Sequence, residues 1–160
     1  MRGSFLLVEG DLIFDASMLD GMLQPNKMAI SETHPRMNGT MVELGARQNI
    51  NLIHVGYENI DPSWYKTVNI YSLALNSWKK VEKVLNRFIT ENRIDEYYES
   101  VFAEMVAEGA LSFDPVFFDP AHWHEIDTNA DLERAERMFA DRATHFHPSP
   151  ALPKKVLSSG

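Results

Sequence analysis

Strand-like and helix-like segments interleave along this chain of 160 residues, and that alternation predicts an α/β protein. Two short apolar runs open it, "FLLV" and "LIF" within Phe5 to Asp15, and they read as buried strands. The second half carries apolar residues at helical spacing in three separate segments. With 44% hydrophobic and 11% aromatic residues, the chain can fill one core, and its length suits a single domain.

Taken in order, "ASMLDGMLQP" predicts one or two helical turns ended by Pro25. "NKMAISETHPRMNG" is mixed and polar, closing on the turn signal Asn38-Gly39. "TMVEL" and "NLIHVGY" predict a hairpin pair, with Met41 and Glu43 alternating against Val42 and Leu44. "TVNIYSL", Thr67 to Leu73, is rich in β-branched and aromatic residues and predicts another strand. A helix follows in "NSWKKVEKVLNRFITENR", with Trp78, Val81, Leu85, Phe88 and Ile89 on one face and Asn76 or Ser77 as its cap. "DEYYESVFAEMVAEG" predicts a second helix stopped by Gly109. "LSFDPVFF" reads as a late strand broken by Pro115, and "TNADLERAERMFADR" as a last helix capped by Thr128 or Asn129 with Leu132, Ala135 and Phe139 on one face. The prolines of "HPSPALPKKVLSSG" mark a linker or loose terminus, so the chain divides into a domain over 1–142 and a tail over 143–160.

Composition narrows the function classes. The 15 basic and 23 acidic side chains give a net charge of -8, which disfavours a nucleic-acid surface. Without cysteine there is neither a disulfide nor a thiolate zinc site. No apolar run approaches the roughly 20 residues of a membrane span, and a cytoplasmic location is the expectation. Neither a Gly-rich phosphate loop nor a G-x-S-x-G elbow is present.

Two acidic clusters remain: Glu9-Gly10-Asp11 and Trp123 to Asp127, "WHEID". In open α/β sheets ligands gather beyond the carboxyl ends of strands, where Asp11 falls. Asp11 and Asp127 from distant segments could hold one Mg²⁺ through carboxylate oxygens. On residue types alone, however, Glu-Gly-Asp is more often a tight turn, and Asp127 more often a helix cap or dipole partner, than a ligand. His122 and His124 have no further histidine partner nearby in sequence and make a weak transition-metal site. Lys66, at the start of a strand, reads as a solvated edge residue or as a phosphate contact. Trp64, Tyr65, Tyr97 and Tyr98 read as packing residues.

A continuous apolar strand such as "FLLV" belongs inside a sheet covered on both faces. It begins here at residue 5, with nothing before it to supply neighbours. Later segments, or a preceding one, must do so.

"FLLVEGDLIFD", "MNGTMVEL", "WYKTVNIYSL", "EYYESVF" and "WHEIDTNADLERA", in this order from Phe5 to Phe139, resemble the bacterial sugar-nucleotidyltransferase-like family, of the phosphocholine cytidylyltransferase type. The resemblance implies a Rossmann-like nucleotidyltransferase fold. It implies transfer of a nucleotidyl group from CTP or another nucleoside triphosphate to a phosphorylated small-molecule acceptor such as phosphocholine, with Mg²⁺ as cofactor and pyrophosphate released.

Carried over residue by residue, Asp11 and Asp127 match metal-binding positions with Glu125 beside them, and Lys66 matches a catalytic lysine near the acceptor phosphate. Glu9, Tyr98 and Glu99 fall on the substrate side. The family's opening "LAAGxGxRL" loop and its "PK" motif have no counterpart here. The resemblance therefore implies an incomplete fold without its nucleotide cradle, inactive or weak alone, whose missing strands would neighbour "FLLV". Its expected pathway is decoration of surface polysaccharide or lipid head groups, and homo-oligomers are a further expectation. The alternative is a non-catalytic binding module that keeps the second half of the fold.

Overall fold

The computed structural model describes residues 3–34, 37–57 and 61–140. Its centre is a mixed sheet built around one long strand, β6 (Tyr65–Ala74), whose residues from Lys66 to Leu73 are all buried. One edge of β6 takes β3 (Lys27–Glu32), antiparallel, and β3 in turn takes β7 (Asp114–Phe117), parallel. Two strands share the opposite edge. β4 (Gly39–Leu44) pairs at Tyr65 and Lys66, and β1 (Ser4–Val8) pairs from Ile70 to Ala74. β5 (Ile50–Tyr57) completes the hairpin with β4. A separate two-stranded ribbon joins β2 (Leu12–Phe14) to β8 (Trp123–Glu125).

Side-chain volume on the two sheet faces is filled by different elements. α1 (Leu75–Thr90) and α2 (Glu99–Ala107) cover one face, burying Val81, Phe88, Val101, Phe102 and Met105 against Tyr71 and Leu73. Below the other face, Met22 from the 3-10 segment Ala16–Met22, Phe118 and Trp123 pack on Ala29, Val68 and Ile70. Each fully buried aliphatic or aromatic side chain contributes about 1.5–3 kcal/mol, so the two clusters together hold the sheet flat between its covers. α3 (Asn129–Phe139) leaves the ribbon through a capping box, in which the Thr128 hydroxyl accepts from Asp131 N–H and the Asp131 carboxylate accepts from Thr128 N–H.

The α/β class, the opening strands, the 39–57 hairpin and all three helices stand as the sequence predicts. Several details differ. "KMAISE", expected as polar connection, is the central strand β3, and its buried Ser31 is satisfied by donating to the Phe118 carbonyl at 2.9 Å. Met41 and Val42 are both buried, against the expected alternation, because β4 lies between β5 and β6 with covers on both faces.

α1 starts directly from β6 with Ala74 at its N-cap, so neither Asn76 nor Ser77 caps it; Asn76 Oδ1 accepts only from the adjacent Ser77 N–H. Pro115 does not break its strand. It sits inside β7, whose only partner among the described residues is β3, and an edge strand tolerates a missing N–H. Gly109 ends α2 at φ +69°, as expected of a C-terminal glycine. On α3 Ala135 is buried while Leu132 is exposed, so the apolar face is narrower than predicted. "FLLV" is not enclosed: among the described residues β1 pairs with β6 alone, and Phe5 and Val8 are exposed. The tail 143–160 lies outside the described residues, as does the end of the predicted 1–142 domain.

Candidate functional site

Between its pairing with β4 and its pairing with β1, β6 has no strand partner on that edge among the described residues. The same stretch bulges. Against β3, Tyr71 pairs with Met28 and Thr67 with Ile30, so β6 spends two more residues than its partner over this span. Asn69 sits in the bulge at φ +58°, a left-handed conformation that asparagine tolerates better than most residues. The split in the sheet opens a cavity of about 390 Å³.

Three of the chain segments that line this gap send carboxylates into it: Glu9 with Asp11, Glu99, and Glu125 with Asp127. Glu9 follows β1, and its N–H reaches the Asn69 carbonyl at 3.3 Å, continuing the ladder one step past Val8. Gly10 and Asp11 form a turn that carries the chain from the large sheet into the ribbon. Asp11 accepts from Ile126 N–H at 2.8 Å through its carbonyl, and Leu12 pairs with Glu125. Ligand oxygens of Glu9, Asp11 and Glu125 consequently lie within 4.8 Å of one another. Asp127 lines the same cavity outside that cluster.

Neutral and cationic groups keep these carboxylates together. Asn69 Nδ2 donates to Glu9 Oε2 at 2.7 Å and to Glu125 Oε1 at 3.2 Å. Tyr98 donates its hydroxyl to Glu9 Oε1 at 2.7 Å from behind the cavity wall. Lys66, only 4% exposed, places Nζ 3.5 Å from Glu125 Oε2. Room for that ammonium comes from Gly39 at φ +100°, where a Cβ would stand 2.9 Å from Lys66 Nζ.

Burial raises the Glu125 carboxyl above the usual range, opposed by Lys66 and reinforced by Asp127, Asp11 and Glu9. Glu99, the first residue of α2, is buried at the cavity wall with Oε2 unpartnered, and burial raises its carboxyl also. The Tyr98 hydroxyl is pushed well up by burial, then by Tyr71, Glu99 and Glu9, and stays protonated as a donor.

Of the residues singled out from sequence, Glu9, Asp11, Lys66, Glu99, Glu125 and Asp127 line one cavity, and Tyr98 supports it without lining it. Lys66 is not a solvated edge residue, because β3 and β4 flank it on both sides. The Glu-Gly-Asp triplet is at once a turn and a site segment. Trp64 stacks on His54 at 4.0 Å, Tyr65 packs edge-on to Phe117 and Tyr98 edge-on to Phe102, whereas Tyr97 stands 69% exposed at the cavity wall. Among the described residues neither histidine joins the carboxylate cluster; His122 Nδ1 faces Asp15 at 3.3 Å and His124 Nε2 lies 3.8 Å from Asp131.

Sequence reasoning missed Asn69, Gly39, Tyr57 and the exposure of Tyr97. The one available signal was Asn69 itself, a residue type depleted in strands yet set in the middle of "TVNIYSL".

The donor chemistry suits a hard divalent cation. All three converging side chains offer carboxylate oxygen, with no sulfur and no imidazole. Six-coordinate Mg²⁺ with metal–oxygen distances near 2.1 Å spaces its ligand oxygens by about 3.0–4.2 Å. Ligand oxygens that all lie within 4.8 Å of one another are close to that spacing.

No protein-family profile matches the chain, and no curated protein sequence does. Solved structures do. The inositol-1-phosphate CTP transferase from T. maritima is 19% identical with a TM-score of 0.65, over 92% of this chain and 59% of that one. The CTP:phosphocholine cytidylyltransferase from Streptococcus pneumoniae is 13% identical with a TM-score of 0.67, over 84% and 57%. A nucleoside-diphosphate-sugar pyrophosphorylase from Vibrio cholerae RC9 is 9% identical with a TM-score of 0.58, over 86% and 57%. The likeness is one of fold, and the chain spans less than three fifths of the length of these structures. No described helix is long and apolar enough to cross a membrane.

Proposed function

We propose that this chain carries the metal- and acceptor-binding part of a nucleotidyltransferase, one that joins CTP or another nucleoside triphosphate to a phosphorylated acceptor and releases pyrophosphate. The observation that carries the reading is the convergence of Glu9, Asp11 and Glu125 beside Lys66 at the split in the sheet. Three carboxylates converge as ligands of Mg²⁺ would, and Asp127 lines the same cavity. A bound Mg²⁺ would supply neutralisation of charge developing on the reacting phosphate. Lys66 is the residue to hold the acceptor phosphate, since its ammonium is buried, faces the cavity and is opposed by a single carboxylate contact at 3.5 Å.

Phosphocholine or a related phospho- or phosphono-amine is the acceptor class we favour. Tyr57 and Tyr97 expose ring surface on the cavity wall, and Glu99 adds a buried carboxylate oxygen without a partner. Ring faces and a carboxylate together favour a cationic head group. A cytoplasmic site of action and a role in surface polysaccharide or lipid decoration go with this reading.

A second reading is favoured by two facts: the chain spans under three fifths of its structural neighbours, and it holds no Gly-rich loop. It would then act as a binding module. A second copy or a preceding segment pairing with the exposed edge of β1 belongs to either reading.

Calorimetric titration separates them. With Mg²⁺ present, the enzyme-part reading expects phosphocholine to bind and CTP to bind weakly or not at all. Tight CTP binding by these 160 residues alone would refute the missing cradle, and absence of any Mg²⁺-dependent phosphocholine binding would remove the acceptor assignment.

A further inference from the structure

Asn69 occupies an expensive position for an ordinary strand residue. It is 5% exposed, lies in the middle of β6, and holds φ at +58° where an extended value would continue the ladder. A left-handed residue inside a strand costs stability and persists only where surrounding contacts impose it. Here the conformation turns the side chain to a place that neither edge of a regular strand could supply. Its amide nitrogen bridges Glu9 Oε2 at 2.7 Å and Glu125 Oε1 at 3.2 Å, residues 60 and 56 positions away.

The orientation of the amide follows from its neighbours. Turned the other way, Oδ1 would face two carboxylates and leave three acceptors together with no proton among them. Thr67 supports that choice from the opposite side, since its hydroxyl can donate to Asn69 Oδ1 at 2.8 Å and also lies 3.1 Å from the Thr40 carbonyl.

We propose that Asn69 is a positioning residue: its left-handed bulge and Thr67-fixed amide hold Glu9 and Glu125 in one orientation, so that these carboxylates and Asp11 bind a divalent cation as a unit. The proposal rests on the metal-site reading above and goes beyond it by assigning affinity to a residue that never touches the ion. Two carboxylates left unbridged would repel and rotate apart, and the ion would have to reassemble them at each binding event. Outer-shell partners of metal ligands typically govern affinity by about 10- to 100-fold.

Two substitutions separate this role from a purely structural one. Asn69→Gly keeps the positive φ at no steric cost but removes the amide, and Thr67→Val removes the orienting hydroxyl at nearly constant volume. Mn²⁺ titration of the full chain by calorimetry, paired with melting temperatures, reads both. The expected result is that N69G still folds, with a melting temperature lowered by its lost hydrogen bonds, while Mn²⁺ binding weakens about 10- to 100-fold, with T67V shifted several-fold in the same direction. If N69G does not fold, T67V decides alone. Parent-like Mn²⁺ affinity in a folded variant, with any change in melting temperature, overturns the positioning role and leaves the metal site standing. Absence of Mn²⁺ binding in the parent chain overturns the metal site and the positioning role together.

Discussion

Lys66 Nζ lies 3.5 Å from Glu125 Oε2, joining the second residue of the central strand to the last residue of the ribbon. The lysine is almost fully buried and the glutamate side chain about a quarter exposed (27%), so the pair is partly shielded from water. Losing one partner of a fully buried pair costs about 3–5 kcal/mol, and less where the survivor can reach solvent or take a proton. Lys66→Met is therefore expected to destabilise the chain by about 1–3 kcal/mol at pH 8, where Glu125 would be left charged. At pH 5 the loss should be smaller, because burial already raises this carboxyl and removal of Lys66 raises it further. Urea unfolding at the two pH values checks this, and equal losses would contradict it.

Glu99 gives a second pH dependence with a definite sign. Its carboxyl is raised above the ordinary value of 4.5, first by burial, with Glu9 adding to the effect. Above pH 4.5 the folded state therefore holds more proton than the unfolded one, and stability falls as pH rises toward the raised folded value. Glu99→Gln cannot titrate. It should lose this part of the decline between pH 4.5 and neutrality, so the parent and variant stability curves should converge in acid and separate in favour of the variant as pH increases.

Gly39 combines φ +100° with a Cβ direction that ends 2.9 Å from Lys66 Nζ. Gly39→Ala meets both problems, and a strained backbone of this kind costs of order 1–3 kcal/mol. Chemical denaturation should register that loss. Binding of phosphocholine should weaken as well, since the ammonium has to move out of its seat.

The Tyr98 hydroxyl donates to Glu9 while its ring packs edge-on to Tyr71 and Phe102. Tyr98→Phe keeps the ring contacts and removes the donor. A hydrogen bond to a charged group contributes about 1.5–3 kcal/mol net. Thermal unfolding should show a loss in that range in the metal-free chain, and addition of Mn²⁺ should recover part of it by restraining Glu9 from the other side.

Much of the architecture was legible because local chemistry and final structure agree. Thr128 or Asn129 reads as the cap of the last helix, and Thr128 takes that place. Gly109 marks the end of α2, and the hairpin of β4 and β5 follows from two apolar runs around a short polar link. β3 was illegible for a physical reason. Its polar residues are satisfied by distant groups: Ser31 by the Phe118 carbonyl and Lys27 by Asp114, 87 residues away in each case. A strand covered on both faces also has no alternation to display.

By itself, then, the sequence determined the α/β class and the acid clusters at Glu9-Gly10-Asp11 and Glu125-Ile126-Asp127, and left Lys66 open between a solvated residue and a phosphate contact. Which carboxylates converge was decided only in three dimensions. Glu9 and Glu125 meet because β6 bulges at Asn69 and because β1 and β4 leave a gap along the same edge. Apart from Asn69 itself, neither event has a local signature, since both depend on strand pairings between residues distant in sequence. Residue type and spacing named the charges; the geometry of a split sheet selected Glu9 over Asp127 as the third member of the tight cluster.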